Sequence, residues 1–379
     1  MSTIQRFLEI GLRTRTPGLL IGPPGVGKSA TIIDWGARNN LKTWVVIASL
    51  REPTDFAGLP VVGRDKFKDQ NGNEFPIVHF APPRFASEAC SDGGLIFLDE
   101  ITTAPPAVQA ALLRAVLDLA FGDLQLDPTK VAICAAANPP ELAAGGWDLA
   151  PPLANRFRHR SFTLDPQKWI EEFPNYWGSA PKLGYQKLEL DDQYWAKARS
   201  MVAGFVRHRP SKLLDIPKEE TRRGCAWPSP RTWDFASRQL GAILADNQPP
   251  TEALPYVADC VGEGAATEFM TWCREVDLPD PWELLKKPES FKVPNRSDIL
   301  FAVLSSVATA AVNNLTVSNW NAAWKIFAAA ANSGHKDVAA SSIKQLVLAH
   351  KSNLPMPVKE LTIFEPILKQ LFKAGYITN

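Results

Sequence analysis

The chain has 379 residues, enough for two or three domains, and its 45% apolar residues can fill their cores. Lys and Arg total 41 against 40 for Asp and Glu, a formal net charge of +1, so no global field draws it to nucleic acid or to an anionic membrane. Its cysteines, Cys90, Cys134, Cys225, Cys260 and Cys273, are odd in number and lack C-x-x-C spacing, which excludes a disulfide or zinc framework and suits free thiols in a reducing, cytoplasmic compartment. Residues 1–15 are a mixed amphipathic stretch with apolar runs too short for a signal peptide, and no run of about twenty apolar residues predicts a membrane span.

Gly18 to Ile21 reads as a short buried strand and Ala30 to Asn39 as a helix; between them stand Gly22, Pro23, Pro24, Gly25, Val26, Gly27, Lys28 and Ser29. This fits G-x-x-x-x-G-K-[ST] in the strand, loop, helix context of a phosphate-binding loop. Glycines let backbone N–H groups close around a polyphosphate, and the helix N-terminus, here opened by Ala30, adds favourable partial charge. A nucleotide's polyphosphate with Mg²⁺ is therefore the expected ligand, with Lys28 reaching the β- and γ-phosphates and Ser29 ligating the metal.

Thr43 to Ala48 reads as a second strand, followed by a turn-rich connection from Glu52 to Pro60. Val61 to Lys68 and Glu74 to Phe80 flank Asp69-Gln70-Asn71-Gly72-Asn73, and Asn-Gly between two β-prone runs predicts a hairpin insertion. Gly94 to Glu100 is a buried strand ending in acid. Asp99 at its tip is expected to hold Mg²⁺ together with Ser29, and Glu100 to polarise the attacking water as a general base. A helix from about Pro105 to Leu119, with prolines suited to its first turn, leads into a loop at Phe121 to Pro128. Val131 to Ala137 is another buried strand. It ends in Asn138-Pro139-Pro140, and Leu153-Ala154-Asn155-Arg156-Phe157 closes the next helical stretch.

Taken in order, GPPGVGKS, LIFLDEITTAPPAVQAALLRAV, AAANPPE and PPLANRF resemble the MoxR and dynein-related branch of the AAA+ ATPases over about the first 165 residues. The resemblance implies that Asn138 is the sensor-1 residue orienting the lytic water and Arg156 an arginine finger acting on the nucleotide of a neighbouring subunit. Only Arg has the fixed fork and permanent charge for that work, although Arg158 and Arg160 in the same basic run are possible substitutes. It also implies a hairpin that interrupts the second core helix and points at the pore of a ring; a solvated hairpin with no such role is the equal alternative. Ser229-Pro230-Arg231 resembles the sensor-2 motif at a helix start, which would set Arg231 against phosphates of its own or a neighbour's nucleotide; pairing with an acid on the first turn is the plain alternative.

The expected fold is thus α/β: an AAA+ P-loop αβα core with a parallel sheet and β-hairpin insertion over residues 1–165, an α-helical lid with sensor 2 over 166–280, and a C-terminal helical bundle over 281–379. In the helical part, residues 190–208, 232–246, 250–273, 297–312, 317–332, 336–351 and 364–374 read as helices, and residues 277–282 with Pro288 and Pro294 as a linker. Trp320 and Trp324, at i and i+4 on one face, read as core before they read as a docking anchor. The function expected is Mg-dependent ATP hydrolysis by a hexameric ring that remodels a protein client, with a von Willebrand factor A domain protein as adaptor by resemblance only. A nucleic-acid motor, disfavoured by the near-neutral charge, and a non-hydrolysing scaffold, disfavoured by Glu100 and Asn138, are the alternatives.

Overall fold

The apolar runs around Leu19, Val46, Ile96 and Ile133 pair side by side. The computed structural model describes residues 3–142, 147–175, 192–276, 278–350, 354, 362–366, 368 and 369. Its chain divides into two compact units, residues 1–163 and 164–379.

The first unit runs α1 (Thr3–Thr14), β1 (Gly18–Ile21), α2 (Lys28–Arg38), β2 (Thr43–Ile47), α3 (Thr54–Ala57), β3 (Leu59–Lys68), β4 (Glu74–Ala81), α4 (Arg84–Asp92), β5 (Gly94–Asp99), α5 (Pro106–Asp118), β6 (Ala120–Phe121), β7 (Leu124–Gln125), β8 (Val131–Ala137), α6 (Pro151–Ala154) and β9 (Arg158–Ser161). Five strands form one parallel sheet in the order β2-β5-β8-β1-β9. β5 and β8 lie inside it and are buried along nearly their whole length, hence their continuous apolar sequences. Leu19, Val46, Ile96, Leu98, Ile101, Leu112, Phe121 and Ile133 share the unit's core. This is the α/β P-loop core with a parallel sheet that the AAA+ resemblance implies.

The Asn-Gly signal is a hairpin: β3 and β4 pair antiparallel from Leu59↔Ala81 to Lys68↔Glu74, with a bulge between Val62 and Lys66. Asp69 closes the turn by accepting from the amides of Asn71 and Asn73. Both faces are largely exposed, Val62, Phe67 and Phe75 included. The loop at Phe121 to Pro128 contains the small β6–β7 hairpin, whose Asp123 accepts from the Phe80 amide at 2.7 Å and so ties it to the base of the larger one.

The second unit contains α7 (Pro166–Glu172), α8 (Asp192–His208), α9 (Pro230–Ala245), α10 (Leu254–Val261), α11 (Glu263–Glu275), α12 (Pro281–Lys286), α13 (Ser297–Asn313), α14 (Val317–Asn332) and α15 (Lys336–Leu348). One apolar core runs through it from Trp169 to Phe364. Trp320 and Trp324 are buried in that core, edge to face at 5.9 Å, so they are packing residues and not an exposed anchor.

Two expectations are corrected. The helix read over 250–273 breaks at Gly262, whose φ of 82° ends α10 and lets α11 start in a new direction. The segment read as a linker contains α12, where Asp280 caps the amides of Trp282 and Glu283, Pro281 occupies the first turn, and Leu284 and Leu285 enter the core. Proline at a helix start favours the helix there. Most of the helix read over 364–374 lies outside the described residues, as do the ends of those read over 190–208 and 336–351. Among the described residues no helix is long and apolar enough to cross a membrane.

Candidate active site

Parallel strands all end on one side of their sheet, and the neighbours β5, β8 and β1 end at Asp99, Ala137 and Ile21. Whatever follows each strand therefore converges: Gly22 to Ser29 after β1, Glu100 after β5, Asn138 after β8. A crevice beyond the carboxyl ends of such strands is where ligands of open α/β sheets bind.

The loop starts from a backbone bond, Gly22 N–H to the Ala137 carbonyl at 3.2 Å. Pro23, Pro24 and Gly25 are half-buried, while Val26 is buried and anchors the loop in the unit. Gly25 and Gly27 take φ values of 76° and 97°, left-handed conformations open at little cost to glycine, and so the chain turns directly into α2. The helix opens at Lys28, two residues ahead of the Ala30 start read from the sequence, so Lys28, Ser29 and Ala30 form its first turn. Their N–H groups are among the four a helix leaves unpaired at its start, and they face the crevice with the positive end of the helix dipole.

Lys28 is buried, and its Nζ donates to the Gly22 and Pro23 carbonyls at 2.7 and 2.8 Å and to Asn138 Oδ1 at 2.8 Å. That last bond joins two residues 110 positions apart and leaves the Asn138 amide NH₂ as its donating group. Ser29 Oγ donates to Asp99 Oδ2 at 2.6 Å, which brings the two expected metal ligands into contact, and Asp99 Oδ1 accepts from the Glu100 amide at 2.9 Å. A hydroxyl and a carboxylate converging beside a phosphate loop are the hard oxygen donors that Mg²⁺ takes from protein, usually one or two at a time, so the residues present fit the ion.

Glu100 is exposed and has left the strand, with φ 54° and ψ 40°. A left-handed non-glycine residue costs on the order of 1 kcal/mol, and here the Thr103 side chain and amide hold it by donating to the Glu100 carbonyl at 2.7 and 3.1 Å. The Glu100 Oε2 accepts from Ser49 Oγ at 3.2 Å. Sequence reasoning missed Ser49. The only signal for it is topological: β2 pairs with β5 up to Ile47↔Asp99, so the residues just after β2 arrive beside Glu100. Thr102, which donates to the Asn138 carbonyl at 3.3 Å, was missed as well.

Arg156 lies elsewhere. β9 begins at Arg158, paired with Gly18 at the start of β1, so Arg156 sits at the edge of the sheet opposite the phosphate loop. Its Nη1 donates to the Pro152 carbonyl at 2.7 Å, and its buried Nε has no acceptor among the described residues. Arg158 is tucked beneath α1, its guanidinium 4.3 Å from the Phe7 ring centre and hydrogen-bonded to the Phe7 and Thr16 carbonyls; burial, helped by the nearby Arg160, pulls its pKa below the ordinary guanidinium value. Arg231 belongs to the second unit, exposed on the first turn of α9, where Ser229 and Thr232 cap each other reciprocally. The structure thus assembles Lys28, Ser29, Asp99, Glu100 and Asn138, and places Arg156 at the far edge of the same sheet.

Cys134 and Cys273 are buried thiols whose pKa is pushed far up by desolvation.

The site and sheet define an α/β core with a P-loop-type strand, loop and helix at the carboxyl ends of a parallel sheet, followed by an α-helical unit. No protein-family model matches the chain, and no curated protein matches it. Among solved structures, a proline-to-glycine mutant of Thermotoga maritima RuvB is similar at 16% identity, covering 79% of this chain and 80% of that one, with a TM-score of 0.36. A lysine-to-arginine mutant of the same protein is similar at 17% identity over the same shares, with a TM-score of 0.35. Similarity at this level carries no inference about function.

Proposed function

We propose that this chain is a Mg-dependent ATPase that works as a ring and remodels a protein client. The observation that carries the ATPase reading is the convergence of Lys28, Ser29, Asp99 and Asn138 beside Glu100 at one end of the sheet. In this reading the amides of Gly25 to Ala30 and the Lys28 ammonium bind the β- and γ-phosphates of ATP. Ser29 and Asp99 hold Mg²⁺, which neutralises charge on the phosphate oxygens when bound. Asn138 shares a hydrogen bond with Lys28, so it stands beside the γ-phosphate and can orient the attacking water with its NH₂ group. Glu100 takes a proton from that water. The γ-phosphoryl group gathers negative charge as it transfers, and a guanidinium aimed at it supplies the largest remaining stabilisation.

Arg156 is proposed for that role on a neighbour's nucleotide, a reading supported by its position at the edge away from its own loop. Arg231 is proposed as sensor 2. A cation on the first turn of a helix opposes the helix dipole, at about 0.3–1 kcal/mol, a small cost that an anionic ligand there would offset. Client remodelling rests on the resemblance to the MoxR branch and on a projecting hairpin with exposed Phe67 and Phe75, a surface suited to gripping protein. Glu100→Gln tests the hydrolytic reading: ATP should still bind with Mg²⁺ while phosphate release falls by about two orders of magnitude or more. Turnover unchanged in the variant removes Glu100 from the chemistry.

A further inference from the structure

A groove of about 580 Å³ opens at the far edge of the sheet, between α1, the end of α5 and the start of β8. Leu119 and Ile133 line it together with Arg15, Arg156 and Arg158, and no carboxylate lines it among the described residues. Leu117 lines it 61% exposed, although Leu112 on the same helix is fully buried. A lining both cationic and apolar calls for an occupant that is apolar at its tip and acidic around it.

The nucleotide edge of the same unit presents such a surface. Leu50 is 77% exposed, the most exposed of the unit's large apolar residues among those described, and follows directly on Ser49, whose hydroxyl holds Glu100. Glu52 is exposed two residues on, and of the neighbouring charges Arg51 and Asp55 pair with each other at 4.0 Å. The surroundings of Leu50 are therefore acidic, more so with ATP bound.

We infer that Leu50 of one copy of the chain seats in the Arg156 groove of the next, against Leu117. The inference rests on the proposed action of Arg156 on a neighbour's nucleotide, and the spacing on the two edges agrees with it. Leu50 and Glu100 stand side by side on one edge, and Leu117 and Arg156 share one groove on the other. A copy that brings Arg156 to its neighbour's γ-phosphate brings Leu117 towards its neighbour's Leu50. The two surfaces differ, so the contact is heterologous and repeats from copy to copy, as a ring requires.

The test is sedimentation velocity over a range of protein concentrations, with Mg²⁺ and a slowly hydrolysed ATP analogue. Leu50→Lys and Leu117→Glu should each raise the concentration needed for assembly about tenfold or more, because each places a charge where an apolar contact is buried. Both residues are exposed, so thermal unfolding and analogue binding per chain should match the parent. The double variant Leu50→Lys/Leu117→Glu sets a Lys against a Glu at every interface and should recover much of the lost assembly. If the parent assembles and both single variants assemble at the same concentration, the contact is refuted while the ring reading stands. A parent that stays monomeric at every concentration overturns both.

Discussion

Removing the Arg156 guanidinium separates two routes by magnitude. Four residues of β1, from Gly18 beside Arg158 to the start of the phosphate loop at Gly22, span about 13 Å at ~3.3 Å per residue. A unit charge at that distance interacts with another by about 1 kcal/mol at an effective dielectric constant of 20, and by less across a Debye length of about 8 Å in physiological salt. Acting on its own nucleotide, Arg156 can therefore change turnover by tenfold at most. Acting on a neighbour's γ-phosphate at contact distance, it is worth about a thousandfold or more. Arg156→Ala should thus bind ATP normally and lose three orders of magnitude of phosphate release at concentrations where the parent assembles. Parent activity per chain should rise with concentration. Mixing Arg156→Ala with Glu100→Gln should return part of the activity, since some interfaces then join an intact Glu100 to an intact Arg156. A parent that is fully active as a monomer, or an Arg156→Ala loss above a hundredfold measured on monomers, would refute this reasoning.

Two further outcomes test the site and the fold separately. Lys28→Ala removes the ammonium held between Gly22, Pro23 and Asn138, and should weaken ATP binding at least about tenfold in a fluorescent-analogue titration; unchanged affinity would move the nucleotide away from this loop. Burial pushes the Asp298 carboxyl up, but hydrogen bonds from Arg296 and Trp272 outweigh it and hold the group below the ordinary carboxylate value. A folded-state pKa that is depressed stabilises the fold above about pH 4, the unfolded value, and the contribution is lost as pH falls through the folded one. Asp298→Asn should accordingly cost about 1–2 kcal/mol near pH 7, a few degrees in thermal unfolding, with the difference shrinking under acid; a gap that stays constant down to pH 2 would contradict the assignment.

The core strands and the phosphate loop were legible because their signals are contiguous. A run such as Leu95-Ile96-Phe97-Leu98 is apolar throughout since β5 is covered on both faces, and the glycines of the loop are dictated by positive φ at Gly25 and Gly27. The hairpin was legible for the same reason, its turn chemistry lying within Asp69 to Asn73. Proline misled in the second unit. The run at Pro279 and Pro281 resembles a linker, yet Pro281 occupies the one stretch of a helix that tolerates proline, and only the packing of Leu284 and Leu285 reveals α12. Ser49 left no trace because nothing about a serine after a strand says which carboxylate the neighbouring strand will deliver to it.

Arg156 shows where a motif stops being informative. LANRF marks the residue, but a motif has no direction in space, and one arginine could serve its own site or another's. The direction comes from the sheet. β9 runs parallel to β1, so a residue ahead of β9 and a loop behind β1 must lie at opposite ends of two strands in register from Gly18↔Arg158 to Ile21↔Ser161. The conclusion needs no side-chain detail, because strand polarity and register alone set the separation. If Arg156 is to act on a phosphate in such a site, the phosphate must belong to another copy. The sequence nominates the finger, and the strand register sets it apart from the phosphate loop of its own chain.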